Sequence, residues 1–194
     1  MTPLAFTPCV AGMAGIYPCS NVDLGAFLPN STIGGGSGSS IWGWTDPLTG
    51  KEYALMGRTN GTAFVDISNP ASPIYVGNLP SATGSSSWRE LKAYDTFAYI
   101  ISDSNGQHGM QVFDLTQLRN VTTPPVTFTA PRYTLFGSSH DITVNPDTGY
   151  LYVVGISTGG ANACSGSLHM IDLSSPGTPT FAGCAGSAYT HDTT

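Results

Sequence analysis

The sequence predicts an all-β fold: about three four-stranded antiparallel β-propeller blades in an incomplete ring, preceded by a disulfide-stapled N-terminal extension. Three observations lead there. Strand-like segments ending in Asp recur along the chain, tight-turn sequences separate the strands, and the composition suits many short strands.

The repeat is clearest at Thr62-Ala63-Phe64-Val65-Asp66, Met110-Gln111-Val112-Phe113-Asp114 and Leu168-His169-Met170-Ile171-Asp172. The three Asp residues lie 48 and 58 positions apart, and each is followed by an aliphatic residue and then Ser or Thr. A second strand precedes each segment: Tyr53-Ala54-Leu55-Met56-Gly57, Phe97-Ala98-Tyr99-Ile100-Ile101 and Tyr150-Leu151-Tyr152-Val153-Val154. Their β-branched and aromatic residues favour a pleated sheet. A further strand lies upstream across a turn. Asp46-Pro47-Leu48-Thr49-Gly50 and Asn145-Pro146-Asp147-Thr148-Gly149 read as type I turns closed by a left-handed Gly. The middle unit turns at Ala93-Tyr94-Asp95-Thr96. Fourth strands are expected around Tyr75, at Val126-Thr127-Phe128 and around Phe181. Four strands in about 50 residues make one blade. A β-sandwich spaces its strands similarly, but its halves need not repeat in sequence.

Of 194 residues, 24 are Gly and 14 are Pro, and only 9% are charged. Hydrophobic residues still make up 40%, enough to fill a core and to set disorder aside. A net charge of −6 with six Lys and Arg leaves no patch to neutralise phosphates, which excludes nucleic acid and disfavours anionic membranes. No apolar run approaches the ~20 residues of a membrane span. The start, Met1-Thr2-Pro3-Leu4-Ala5-Phe6, has no basic region and carries no export signal as it stands. The expected division is an extension over 1–40 and blades over about 41–84, 85–135 and 136–188, followed by the start of a fourth. Three blades cannot close a ring of at least four. The chain is therefore expected to be a fragment, an open arc, or a unit that assembles with another copy.

The four cysteines, Cys9, Cys19, Cys164 and Cys184, fall in two close pairs without metal-ligand spacing. Cys9–Cys19 and Cys164–Cys184 are the expected disulfides. The second is expected between opposed residues of a hairpin turning near Ser174-Ser175-Pro176. Low charge and disulfides point outside the cytoplasm. Sequons at Asn30, Asn60 and Asn120 would be glycosylated in a eukaryotic secretory host.

The Asp-terminated segments resemble the LVIVD repeat. The wider chain resembles the secreted choice-of-anchor B proteins, most specifically at Tyr17-Pro18-Cys19-Ser20-Asn21-Val22-Asp23-Leu24, Ile41-Trp42-Gly43-Trp44-Thr45-Asp46-Pro47 and Tyr189-Thr190-His191-Asp192. The resemblance implies an exported, surface-anchored propeller without an assigned activity. Its members continue past the Tyr-Thr-His-Asp segment, whereas this chain stops at Thr194, so no anchor is assigned.

Asp66, Asp114 and Asp172 are expected to cap turns through Ser68, Thr116 and Ser174 rather than to gather around an ion. His140-Asp141 and His191-Asp192 lie 51 residues apart, one blade length, each ahead of a first strand. Imidazole and carboxylate converging there suit a divalent metal, the one cofactor the sequence suggests, or an acid/base pair. The plainer role is to hydrogen-bond the adjacent blade. Ser138-Ser139-His140-Asp141 offers no triad geometry, because triad members converge from separate segments. Trp42, Trp88 and Arg89 occupy the corresponding region of the earlier units and are candidate ligand contacts, with packing between blades as the alternative. Gly34-Gly35-Gly36-Ser37-Gly38-Ser39-Ser40 reads as a flexible loop, and Asp103-Ser104-Asn105-Gly106 as a turn. The leading functional expectation is a non-enzymatic surface module binding a protein, a glycan or another copy of itself. Its rivals are a metal-dependent hydrolase or lyase and a structural or adhesive component.

Overall fold

The computed structural model describes residues 4–159 and 161–193. Met1–Pro3, part of the N-terminal reading, and Thr194 lie outside them. The N-terminal extension holds a short hairpin, β1 (Met13–Ala14) and β2 (Tyr17–Pro18), inside the Cys9–Cys19 disulfide. Downstream, Ile33 is buried against Ala63 and Val65, with Leu28 beside it. The extension thus covers one face of the first blade.

That blade is an antiparallel meander of β3 (Gly38–Thr45), β4 (Glu52–Arg58), β5 (Gly61–Asp66) and β6 (Ile74–Pro80). The middle unit begins with β7 (Leu91–Tyr94), β8 (Phe97–Ile100) and β9 (Met110–Asp114). Two short strands follow, β10 (Val126–Thr127) and β11 (Arg132–Tyr133). The third sheet is β12 (Asp141–Asn145), β13 (Tyr150–Val154), β14 (Leu168–Asp172) and β15 (Thr180–Ala185). The first strands β3, β7 and β12 neighbour one another, as radially packed blades require.

The turns form as their residues dictate. Gly50 (φ 71°) and Gly149 (φ 70°) take the left-handed conformation that side chains resist. Their N–H groups donate back to Asp46 and Asn145. At the far ends, Asp66, Asp114 and Asp172 each accept a backbone N–H two residues on, from Ser68, Thr116 and Ser174. The recurring Asp therefore caps a turn in every unit.

Three sequence expectations are corrected, two here and one at the second disulfide. Val126–Thr127 does not close the middle sheet. It pairs parallel with β6 of the first sheet, and β11 closes the middle sheet against β9. The cause is the excursion after Asp114: a 3-10 segment (Leu115–Asn120) buries Leu115 and Leu118 in the seam with the first blade. Arg119 clamps Asp46 there with two bonds of 2.8 and 2.5 Å. This pairing holds the Asp46 carboxyl well below the usual carboxylate range. The Gly34–Ser40 run is not a free loop either: Gly38–Ser40 open β3, and the glycines ahead of them fold over Arg58.

The Cys164–Cys184 bond forms with a different geometry from the one expected. Cys184 lies opposite His169, and Cys164 reaches it from the loop before β14. Closing a loop with a sequence separation of 20 contributes about 3 kcal/mol in the chain-entropy view.

The core is two seams. Between the first and second blades, Phe64 stacks on Phe113 at 4.5 Å between ring centroids, and Phe128 meets both edge-on. Between the second and third, Tyr99, Met110 and Phe136 pack on Ile142, Leu151 and Ile171. Truncating the fully buried Phe113 to Ala should destabilise the chain by ~3–5 kcal/mol, with the two blades losing their shared face together. Equilibrium urea unfolding measures this, and a loss below ~1 kcal/mol would show that the seam does not join the blades.

Candidate functional site

The chain entering each first strand arrives at the same end of the blades. In the third unit His140 sits there, half-buried. Its Nδ1 is 3.0 Å from Asp103 Oδ2 of the second unit, and its Nε2 is 3.9 Å from Asp192 Oδ1. The His140 and His191 rings lie 4.1 Å apart, and His191 Nδ1 is 2.8 Å from Asp192 Oδ2. His140, His191 and Asp192 can each offer one ligand atom, and all three atoms lie within 4.8 Å of one another. Among the described residues this is the one such His/Cys/Asp/Glu group.

The segment carrying His191 and Asp192 is fixed from both sides. Thr190 O accepts from Gly155 N–H, Thr190 N–H donates to Gly166 O, and Thr193 N–H donates to Asp141 Oδ2. The structure therefore brings together three of the four residues named as metal candidates. Asp141 is turned to the backbone of Thr193 instead. Asp103, read from sequence only as part of a turn, takes the place beside His140. Trp88 adjoins this cluster through its carbonyl, which accepts from Asp103 N–H, and its side chain is exposed (55%). On the other side Tyr189 is exposed (60%), with its ring 6.4 Å from that of His191.

The remaining candidates are dispersed. Trp42 is exposed midway along β3, with Lys92 Nζ 4.6 Å from its ring centroid. Trp44 stacks on Tyr53 and donates its indole N–H to Asp95 O, which makes it packing between blades. Arg89 is 2% exposed and bonds Arg58 O, Ser81 Oγ and His108 Nε2, so it faces the interior and not a ligand. Ser138 Oγ bonds Asn105 N–H and Gly106 O, away from any nucleophile's role. Of the sequon residues, Asn60 and Asn120 are exposed and Asn30 is half-buried.

A buried row of Arg58, Arg89 and His108, which the sequence did not disclose, joins the first and second units. Arg58, fully buried, donates to Gly35 O and to Asn78 Oδ1, and the glycine run closes over it. A Cβ at Gly34 would stand 2.7 Å from Arg58 Nη1, which explains glycine there. Arg89 follows, lowered to about 10 by burial and by Arg58, and remains a cation at neutral pH. His108 ends the row. Its Nδ1–H donates to Gly109 O and its Nε2 accepts from Arg89. Burial, with help from Arg89, lowers His108 to about 4. Only the placement of a lone Arg beside strand ends hinted at this, and its partners come from three separate segments.

Residues 50–80 match the LVIVD repeat family. They run from the Gly50 turn through β4, β5 and β6. The match covers one unit, and the second and third sheets repeat its strand order and its terminal Asp cap. No curated protein matches the chain. Among the described residues no helix is long and apolar enough to cross a membrane.

Because His108 is neutral when folded, acid should destabilise the chain. Above pH ~6.5 neither state binds the proton; below it only the unfolded chain does, until folded His108 titrates near pH 4. The loss through this one group is ~3 kcal/mol, and His169, also lowered by burial, acts in the same direction. A His108→Gln variant should therefore lose clearly less stability than the parent between pH 6.5 and 4.5 in urea titrations. Parallel profiles would refute a neutral, buried His108.

Proposed function

We propose that this chain is the blade-bearing part of an exported, cell-surface propeller of the choice-of-anchor B kind, and that it binds glycans at the end where the first strands begin. The observation that carries the reading is the contiguous row Trp88, Asp103, His140, His191 and Tyr189. Exposed aromatic rings offer flat apolar faces to sugars. The carboxylates and imidazoles between them supply directional partners for hydroxyl groups. Two disulfides suit an oxidising exterior. A net charge of −6 argues against strongly anionic ligands.

A glycan array probed with the purified chain tests this. The expected result is a defined set of sugar ligands, with Trp88→Ala reducing affinity at least tenfold and leaving the unfolding midpoint unchanged. Undiminished binding by Trp88→Ala, or capture of proteins in place of glycans, would overturn the glycan assignment.

A further inference from the structure

We infer that His140, His191 and Asp192 form a divalent transition-metal site, oriented by Asp103, which clamps the third blade to the segment that follows it. The inference shares His140, His191 and Asp103 with the glycan reading, but it does not depend on Trp88 or Tyr189.

The His140 ring is oriented as a metal ligand would be. Its Nδ1–H donates to Asp103 Oδ2 at 3.0 Å, which leaves the Nε2 lone pair directed towards Asp192 Oδ1 at 3.9 Å. A carboxylate behind a histidine fixes the tautomer and raises the basicity of the opposite nitrogen, the usual outer partner of a ligating imidazole. Ligand atoms around a tetrahedral ion stand roughly 3.3–3.6 Å apart. The three here lie within 4.8 Å, a gap that small rotations of two exposed side chains can close. Those two side chains are delivered by a backbone already fixed by three hydrogen bonds to the third unit.

The donor set selects the ion class. Two imidazole nitrogens and one carboxylate suit Zn2+ and its first-row neighbours, while Ca2+ and Mg2+ prefer oxygen alone. Three protein ligands leave a coordination position open to solvent. The clamp would also join two successive repeats and the segment after them: Asp103 from the second, His140 from the third, and His191 with Asp192 from that segment.

The test is calorimetric titration of the untagged, chelator-treated chain with Zn2+, together with the visible spectrum of the Co2+ form. One ion per chain is expected, with intense tetrahedral Co2+ bands. His191→Ala, an exposed change that leaves the fold intact, should abolish both, and His140→Ala should do the same. Asp103→Asn should weaken Zn2+ binding 10–100-fold. Trp88→Ala should bind Zn2+ like the parent, which separates this result from the glycan result. No stoichiometric uptake, or equal uptake by parent and His191→Ala, overturns the site.

Discussion

The first sheet of this chain is apolar on both faces at β5, and burying the second face is the constraint from which the arrangement follows. All six residues of β5 are buried: Phe64 faces the second blade, while Ala63 and Val65 face the N-terminal segment. A single sheet with two apolar faces is insoluble alone. Stacking sheets radially buries the facing sides, and the extension with Leu28 and Ile33 covers the other face of the first blade. The excursion after Asp114 serves the same end, since it carries Leu115, Leu118 and Phe128 back into the first seam. The parallel pairing of β10 with β6 is then a consequence of packing, not of strand order.

Polar groups follow a second rule at the end where first strands begin. There charged side chains are either desolvated or set beside a partner. Arg58 and Arg89 are desolvated without a carboxylate among their hydrogen-bond partners; backbone, amide and hydroxyl oxygens and the His108 ring receive their donors instead. Hydrogen bonding of this kind makes burial tolerable but leaves the charge uncompensated, which explains the fall of Arg89 and the neutrality of His108. The outermost layer, with Asp103, His140, His191 and Asp192, sets imidazoles beside carboxylates within reach of water.

The features legible in sequence were those set by local rules. The Asp caps, the Gly50 and Gly149 turns and both cysteine pairings depend on residues within about one hairpin of each other. What escaped depends on contacts between units. The His140–Asp103 pair spans 37 residues and Arg119–Asp46 spans 73, and nothing local marks either. Adjacency misled in two places. Asp141 follows His140 in sequence, but alternation along β12 turns it to Thr193. Cys164 seemed to lie on a strand, whereas the loop before β14 carries it. The glycine run suggested freedom, yet only glycine fits beneath Arg58.

Counting back five residues from the end of each first strand gives Ser40, Arg89 and His140. All three positions reach a neighbouring repeat: Ser40 Oγ to Glu90, Arg89 to Arg58 O, and His140 to Asp103. The fold thus assigns this position to joining units, whatever residue occupies it. Its chemistry then depends on burial. Arg89 is sealed and its donors are consumed by the join. His140 is half-exposed, and one ring nitrogen suffices for the join, so the other stays directed outwards. The segment after β15 brings Asp192 within 3.9 Å of that nitrogen and the His191 ring within 4.1 Å of the His140 ring. A structural contact and a ligand-binding contact can therefore share one imidazole, each using a different atom.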